Sequence, residues 1–371
     1  MENYNERYAR HYALSDFGFE GQQKLLQAKV LVIGAGGLGC PVLQYLVSAG
    51  IGRVGIVDHD YISLSNLQRQ TLYTTVDIGK PKAQVAATSL GEMNPEIKII
   101  CYQTELNSKN ALEILSEYDI IVDCTDNFAA RYLINDACIL LKKPLVFGAI
   151  YKYEGQVAVF NWNHKYQINY RHLFPNPPRP EDVKNCNEVG VLGVLPGMIG
   201  MFQANEVIKI CTGLGEVLDG KLLTFNMLTY EVFTVDISNE NSVEDLIPKN
   251  REDFEATDYE FLCGVSIRNI EDLSPEDFIK KKSDKNTVTV DVREIGELPK
   301  ADFNHINIPL SELNDRLSEL KDEHLILFCQ SGKRSLKAAE ILLEHFGNQK
   351  KISHLKGGII ALQERNNGKN S

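Results

Sequence analysis

Three groups of residues in this 371-residue chain have types and spacings that could do chemistry. The first is the glycine cluster Gly34, Gly36, Gly37 and Gly39 within KVLVIGAGGLG, followed by Asp58 at the end of the apolar run RVGIVD. Gly34, Gly36 and Gly39 satisfy G-x-G-x-x-G, and Asp58 stands near the spacing of a ribose-binding acid, so this stretch is expected to hold a nucleotide. The second group follows Asp58. Asn66, Gln68, Arg69 and Gln70 crowd together ahead of Lys82, and Asp126 and Asn127 close the apolar run DIIVDCTDN. A planar guanidinium and a compact ammonium suit a triphosphate, and a carboxylate such as Asp126 can hold Mg²⁺ against it. The third group is Cys329, which ends the run LILF and precedes Gln330, Ser331, Gly332, Lys333, Arg334 and Ser335. Converging N–H groups, a helix start and two cations should stabilise a thiolate there.

Each group also has a structural reading: a bare turn, solvated surface charges, an Asx turn, an inert buried cysteine. The same holds for Arg7 and Arg10, three apart near the start of the chain, which read either as a solvated basic turn or as a phosphate-contacting arm.

The elements that must position these residues can be read from the same pattern. Val30 to Ile33 is a continuous branched run, as in a strand buried on both faces of a parallel sheet, and a helix is expected over Cys40 to Ala49. KIICY and DIIVDC read as further strands with a helix near Asn110 to Glu117 between them, and another helix begins near Lys80. KPLVFGAI and the alternating GQVAVFNW predict a hairpin, so the sheet turns mixed past residue 150. A long proline-rich segment from Asn163 to Gly190, holding Cys186, reads as structureless and therefore functional. The glycine-bearing helix of VLGVLPGMIGMFQANEVIKICTGLG and two strands in KLLTFNMLTYEVFTVDI close the first domain. The fold class is thus α/β: a Rossmann-like doubly wound sheet turning mixed and antiparallel, then a smaller α/β domain. The expected boundaries are 1–237, an acidic and mobile linker at 238–260, and 261–371.

Composition removes several function classes. No run of about 18 apolar residues exists and the N-terminal stretch is polar, so a soluble, cytoplasmic protein without membrane association is expected. The formal net charge of −11 argues against a nucleic-acid partner. The 8 cysteines include no C-x-x-C pair, which speaks against a disulfide framework and a cysteine zinc site.

GAGGLG, DHDYISLSNLQRQ, KPK, DCTDN and GVLGVLPGMIG together resemble the MoeB/ThiF-type activating enzymes, relatives of ubiquitin-activating enzymes. DVRE, INIPL, CQSGKRSLKAAEILL and HLKGGI resemble a rhodanese domain. The resemblance implies an adenylyltransferase with sulfurtransferase activity. It would use ATP and Mg²⁺ to adenylate the C-terminal glycine of a ubiquitin-like sulfur carrier ending in Gly-Gly. It implies that Gly36, Gly37, Gly39, Asp58, Asp60, Ser65, Asn66, Gln68, Arg69, Lys82 and Asn127 bind the nucleotide, and that Asp126 is the magnesium ligand. Arg10 would reach into the partner's site of a homodimer, Cys186 would engage the carrier from a mobile loop, and Cys329 would carry persulfide sulfur. The sulfur would come from a cysteine desulfurase or a small thiol, and the product would be a thiocarboxylate serving molybdopterin, thiazole or tRNA thiolation chemistry. Many members of that family bind zinc through two C-x-x-C pairs. The first position here reads Asn169, Tyr170, Arg171, His172 and the second has no cysteine, so no zinc is expected. The segment between DVRE and INIPL is also short. Two other classes stay open on the residues alone: a non-catalytic scaffold that delivers a carrier, and an NAD-dependent dehydrogenase resting only on the glycine motif.

Overall fold

The branched runs form strands because nothing polar interrupts them, and their alternate residues feed two different cores. In the computed structural model Val30 and Val32 of β1 (Lys29–Ile33) pack into one hydrophobic cluster, while Leu31 and Ile33 pack into another on the opposite face. The structure describes residues 6–162, 168–175, 177, 190–237, 243–259, 270–282, 284–346 and 349–368. It divides into two compact units, Met1–Val265 and Ser266–Ser371.

In the first unit β2 (Arg53–Val57), β3 (Lys98–Tyr102), β4 (Ile120–Asp123), β5 (Leu145–Tyr151), β6 (Glu154–Phe160), β7 (Lys221–Asn226) and β8 (Val232–Asp236) join β1 in one sheet of order β3-β2-β1-β4-β5-β6-β7-β8. Pairing is parallel from β3 through β5 and antiparallel from β5 to β8. The mixed sheet expected past residue 150 is therefore present. Helices Gly39–Ala49, Lys82–Met93 and Val194–Thr212 cover one face, and helices Ala111–Ser116 and Phe128–Leu141 the other. The chain runs outward from β1 through β2 and β3, then returns to β4 on the other side, which makes a switch point between β1 and β4.

The turn after β1 depends on glycine. Gly34 has φ +94°, and a Cβ at Gly39 would stand 1.9 Å from the Gly34 carbonyl oxygen. Any side chain at Gly39 would push the helix off the strand end.

The second unit is a parallel sheet of order β11-β10-β12-β13-β9, built from β9 (Ile270–Leu273), β10 (Thr287–Asp291), β11 (Ile306–Asn307), β12 (His324–Phe328) and β13 (Lys351–Leu355). Strands β10, β11 and β12 match the sequence reading. The short β9 and β13 escape it, because IEDL and KISHL mix polar and apolar residues at no clean period.

Two stretches differ from their sequence reading. The proline-rich segment contains a helical turn, Tyr170–Leu173, capped by the Asn169 side chain, which accepts from Arg171 N–H at 2.9 Å. Of the stretch read as a mobile linker, residues 243–259 pack onto the first unit: helix Arg251–Ala256 buries Phe254, and Tyr259 joins the same core. Both tie to Asp136, fully buried within helix Phe128–Leu141. Arg171 Nε and Nη2 donate to its two oxygens at 2.9 and 2.7 Å, and the Tyr259 hydroxyl donates to Oδ2 at 3.0 Å. Burial alone would lower the Arg171 pKa, but Asp136 more than offsets it and holds the guanidinium charged. Isolated aromatic and ionic anchors of this kind leave no periodic trace in sequence.

Removing one partner of a buried ion pair strands the other charge, at a cost of about 3–5 kcal/mol. Asp136→Ala is thus expected to lower the unfolding midpoint of the first unit strongly in a denaturant titration. An Asp136→Ala chain as stable as wild type would show that the pair is not what fastens these segments.

Candidate active site

The carboxyl ends of β1, β2, β3 and β4 open into a cleft of about 1060 Å³, placed where the strand order reverses. Gly36 and Gly37 line its floor. A Cβ at Gly36 would meet nothing nearer than Gln70 Nε2 at 3.6 Å, whereas at Gly37 it would come within 3.2 Å of Pro196 Cβ. The backbone therefore presents bare amides to the cleft, as a phosphate requires. Gly39 does not line the cleft; it is buried where it closes the turn.

Asp58, one residue past β2, locks that turn. Its Oδ2 accepts from Ala35 N–H and its Oδ1 from Asp60 N–H, both at 2.8 Å. Ala35 is held again from its carbonyl side, where the Tyr73 hydroxyl donates at 2.8 Å. The polar segment wraps over the cleft as the short turn Leu64–Asn66, in which Asn66 Oδ1 accepts from Ser63 N–H. Arg69 Nη1 donates to the Ser65 carbonyl at 3.0 Å, so one arm of its fork is fixed by its own loop. A Cβ at Gly193 would meet the Gln68 carbonyl at 2.2 Å; the helix Val194–Thr212 thus starts hard against this loop.

Lys82 is 6% exposed, and its Nζ pairs with Asp60 Oδ2 at 2.8 Å. A buried ammonium needs such a partner. Asp126 is exposed at the cleft wall, a hard oxygen donor of the kind Mg²⁺ takes. Asn127 lines the same wall, but its side chain caps the next helix, accepting from Ala130 N–H at 2.8 Å. The structural role of Asn127 is that of a helix cap rather than an Asx turn. Asp58, Asp60, Ser65, Asn66, Gln68, Arg69, Lys82, Asp126 and Asn127 are all brought to one cleft. Arg10 is not: it is exposed on the short helix Ala9–Tyr12 and does not line the cleft of its own chain. Cys186 lies outside the described residues.

One cation escaped the sequence reading. Arg131 lines the cleft, donates from Nη2 to the Thr125 carbonyl at 3.2 Å and lies over the Phe128 and Phe147 rings. The only trace it leaves in sequence is its place one turn past Asn127. Below it Asp123 is buried and keeps Oδ2 without a hydrogen bond; burial pushes its carboxyl up, with Arg131 pulling the other way.

The described cysteines separate cleanly. Burial pushes the thiols of Cys40, Cys101, Cys124, Cys138 and Cys211 up, Cys40 and Cys211 to about 12. Cys329 alone goes down. Burial opposes this, but the Ser335 hydroxyl and the backbone N–H groups of Ser335, Ser331 and Gly332 outweigh it. The cations contribute less than the sequence reading expected: Arg334 is committed to Glu297 at 2.6 and 2.8 Å, and Lys333 is exposed.

Residues 8–245 match the model of the ThiF family, and residues 274–365 that of the rhodanese-like domain. The chain is 40% identical to a Drosophila grimshawi protein named adenylyltransferase and sulfurtransferase MOCS3, over 96% of this chain and 83% of that one. It is 49% identical to a Thermus thermophilus sulfur carrier protein adenylyltransferase, over 70% of this chain and 97% of the relative. Among solved structures, E. coli MccB with a MccA peptide superposes with a TM-score of 0.57 at 24% identity, covering 64% of this chain and 74% of that one, a likeness of fold. The chain belongs to the ThiF family and carries a rhodanese-like domain after its ThiF region.

Proposed function

We propose that this protein adenylates the C-terminal glycine of a ubiquitin-like sulfur carrier with ATP and passes sulfur to it through a persulfide on Cys329, giving a thiocarboxylate. The observation that carries the first half is the single cleft that gathers bare glycine amides, Asp58, Arg69, Lys82 and Asp126 at the strand ends. The relatives named adenylyltransferase and sulfurtransferase support both halves.

In this reading Asp58 orients the ribose, and Gly36, Gly37, Ser65, Asn66, Gln68 and Arg69 hold phosphates. Lys82, with Asp60 beside it, draws charge from the triphosphate. Asp126 would hold Mg²⁺, which when bound neutralises phosphate charge. The carrier carboxylate attacks the α-phosphorus and pyrophosphate leaves, a step that needs alignment and charge neutralisation more than a base. Arg10, exposed and away from its own cleft, serves the partner's site in a homodimer. The terminal sulfur of the Cys329 persulfide then attacks the acyl adenylate and AMP leaves. Cys186 attacks the sulfur of Cys329 to release the thiocarboxylate, and an external thiol reduces the resulting disulfide. A cysteine desulfurase, from its own persulfide, or a small thiol in its persulfide form supplies the sulfane sulfur to the Cys329 thiolate and leaves as the thiolate, in the cytoplasm. The carrier that co-purifies with the chain will name the pathway served.

The residues at the family's zinc position do not suit a metal. Asn169 caps a helix, Arg171 is paired with Asp136, and burial lowers the pKa of His172, the one ligating side chain there. Elemental analysis is expected to find no stoichiometric zinc; about one zinc per chain would overturn this.

Asp126→Ala is expected to abolish carrier-dependent ATP–pyrophosphate exchange while the fold persists, since the residue is exposed and fills no core volume. Exchange retained at saturating magnesium would remove Asp126 from the site. Cys329→Ala should leave exchange intact and block thiocarboxylate formation, read by mass spectrometry of the carrier, while Cys186→Ala slows turnover less. Normal sulfur addition by the Cys329→Ala chain would show that the rhodanese-like domain is not the donor.

A further inference from the structure

Cys329 stands one residue past β12, 1% exposed, in a loop pinned at both ends. The Gly332 N–H donates to its Sγ at 3.2 Å, and Ile359 N–H donates to its carbonyl oxygen at 2.8 Å. A Cβ at Gly358 would meet that carbonyl at 2.5 Å, so the second helix of the site abuts the loop backbone. Within this fixed frame the thiol lies 3.5 Å from Ser335 Oγ. Ser335 is fully buried, and its hydroxyl lies 3.0 Å from the Gly332 carbonyl and 3.3 Å from His354 Nδ1. His354, 4% exposed, has its Nε2 2.8 Å from Asp272 Oδ1. The sheet strings these groups together. Strands β12, β13 and β9 are neighbours in that order, and His354 is in register with Leu327 on one side and Asp272 on the other.

A carboxylate on one ring nitrogen selects the tautomer. Asp272 accepts from Nε2–H, which leaves Nδ1 bare toward the Ser335 hydroxyl. The line from thiol to solvent-facing carboxylate is then unbroken. When the Ser335 hydroxyl, which donates to the Gly332 carbonyl at 3.0 Å, turns to Nδ1 at 3.3 Å, the line has a consistent direction: thiol to hydroxyl, hydroxyl to imidazole, imidazole to carboxylate. Sulfur transfer as described above uses none of Ser335, His354 or Asp272.

Resting on Cys329 as the sulfur carrier, we propose that Ser335, His354 and Asp272 form a proton relay that positions and ionises its thiol. The Cys329 S–H bond breaks as its proton passes to Ser335 Oγ, and the Ser335 hydroxyl proton passes to His354 Nδ1. No electrons are exchanged. The products are a thiolate that accepts from the Ser335 hydroxyl and an imidazolium whose Nε2–H stays on the Asp272 carboxylate. The thiolate attacks the sulfane sulfur of the donor; with thiosulfate, sulfite leaves and the sulfur stays on Sγ. Cyanide then removes that sulfur as thiocyanate and restores the thiolate, which the relay can reprotonate.

The remaining charges around the relay are spoken for. Lys356 approaches the other Asp272 oxygen at 3.5 Å. Arg334 is held by Glu297, and Lys333, Lys337 and Glu340 are exposed on helix Lys333–Phe346. Asp291 and Arg293 at the end of β10 pair with each other at 2.6 Å, and helix Gly358–Gly368 has no acid in its first turn. Among the described residues, only Asp272 meets the ring of His354 with opposite charge.

The test uses the full chain and two readouts: the pH profile of Cys329 alkylation by iodoacetamide, followed by peptide mass spectrometry, and sulfur transfer from thiosulfate to cyanide. His354→Gln is expected to move the alkylation profile to higher pH by about one unit, about tenfold slower near neutrality and recovering at alkaline pH. Asp272→Asn should move it the same way by less. Ser335→Ala should slow transfer, and Ser335→Thr, which keeps the hydroxyl, should restore it. Profiles that superimpose on wild type in His354→Gln and Asp272→Asn would overturn the relay. So would a loss that is equal at every pH, since that marks a packing role. Should His354→Gln fail to fold, Asp272→Asn decides, its side chain being half exposed. Sulfur transfer surviving in Cys329→Ala would instead overturn the carrier role, an outcome that the alkylation profiles do not depend on.

Discussion

The cleft depends on one close approach, the backbone of Gly39 against the carbonyl of Gly34, which a methyl group would obstruct at 1.9 Å. Because the two can touch, helix Gly39–Ala49 begins directly over the end of β1, and the turn ahead of it, with Gly36, Gly37 and Leu38, lines the cleft. The rest of the site is hung on that turn. Asp58 bonds Ala35 N–H from β2, and Tyr73 bonds the Ala35 carbonyl from the wrapping loop. The same hydroxyl lies 3.4 Å from the Lys82 carbonyl. The turn, the acid and the buried cation are therefore one hydrogen-bonded unit and not three neighbours.

That unit explains how a lysine can sit almost out of water beside a site for anions. Desolvating an unpaired ammonium is costly, and Asp60 offsets the cost with its carboxylate, while its carbonyl accepts from the Lys82 backbone N–H and holds the two residues together. Asp60 is in turn fixed by its own N–H on Asp58. Arg69 differs. It keeps one nitrogen on the Ser65 carbonyl of its own polar segment, and that segment is backed by the start of helix Val194–Thr212 against Gln68.

The first sheet was legible because buried parallel strands are written as branched runs, and because its switch-point turn needs glycines at fixed offsets. The cleft residues followed, since they sit in the loops that leave those strands. Legibility failed where single contacts do the fastening. Tyr259 and Arg171 converge on Asp136 from segments far apart in sequence, with Phe254 packed against Tyr259, and no local pattern announces a partner that distant. Arg131 and Asn127 show a related limit: residue type is visible in sequence, but use as aromatic-stacked cation or as helix cap is a matter of geometry. In the second unit Cys329 was found from its loop. Its thiol is lowered, but by neutral donors more than by the two cations expected, because Arg334 turns to Glu297.

That last difference bears on how the two units handle negative charge. Both set a loop at the carboxyl end of parallel strands, with a helix beginning behind it. The first unit adds standing cations, Arg69, Lys82 and Arg131, which suit a multiply charged ligand that arrives and leaves. In the sulfur transfer proposed above, the charge at Cys329 is a single thiolate made in place, and a strong permanent cation would bind it too well to leave it a good nucleophile, since nucleophilicity falls as thiol pKa falls. Neutral donors from Gly332, Ser331 and Ser335 lower the thiol moderately, while the nearest guanidinium is occupied by its own carboxylate. The rhodanese-like loop is thus tuned by hydrogen bonds where the nucleotide cleft is tuned by charge.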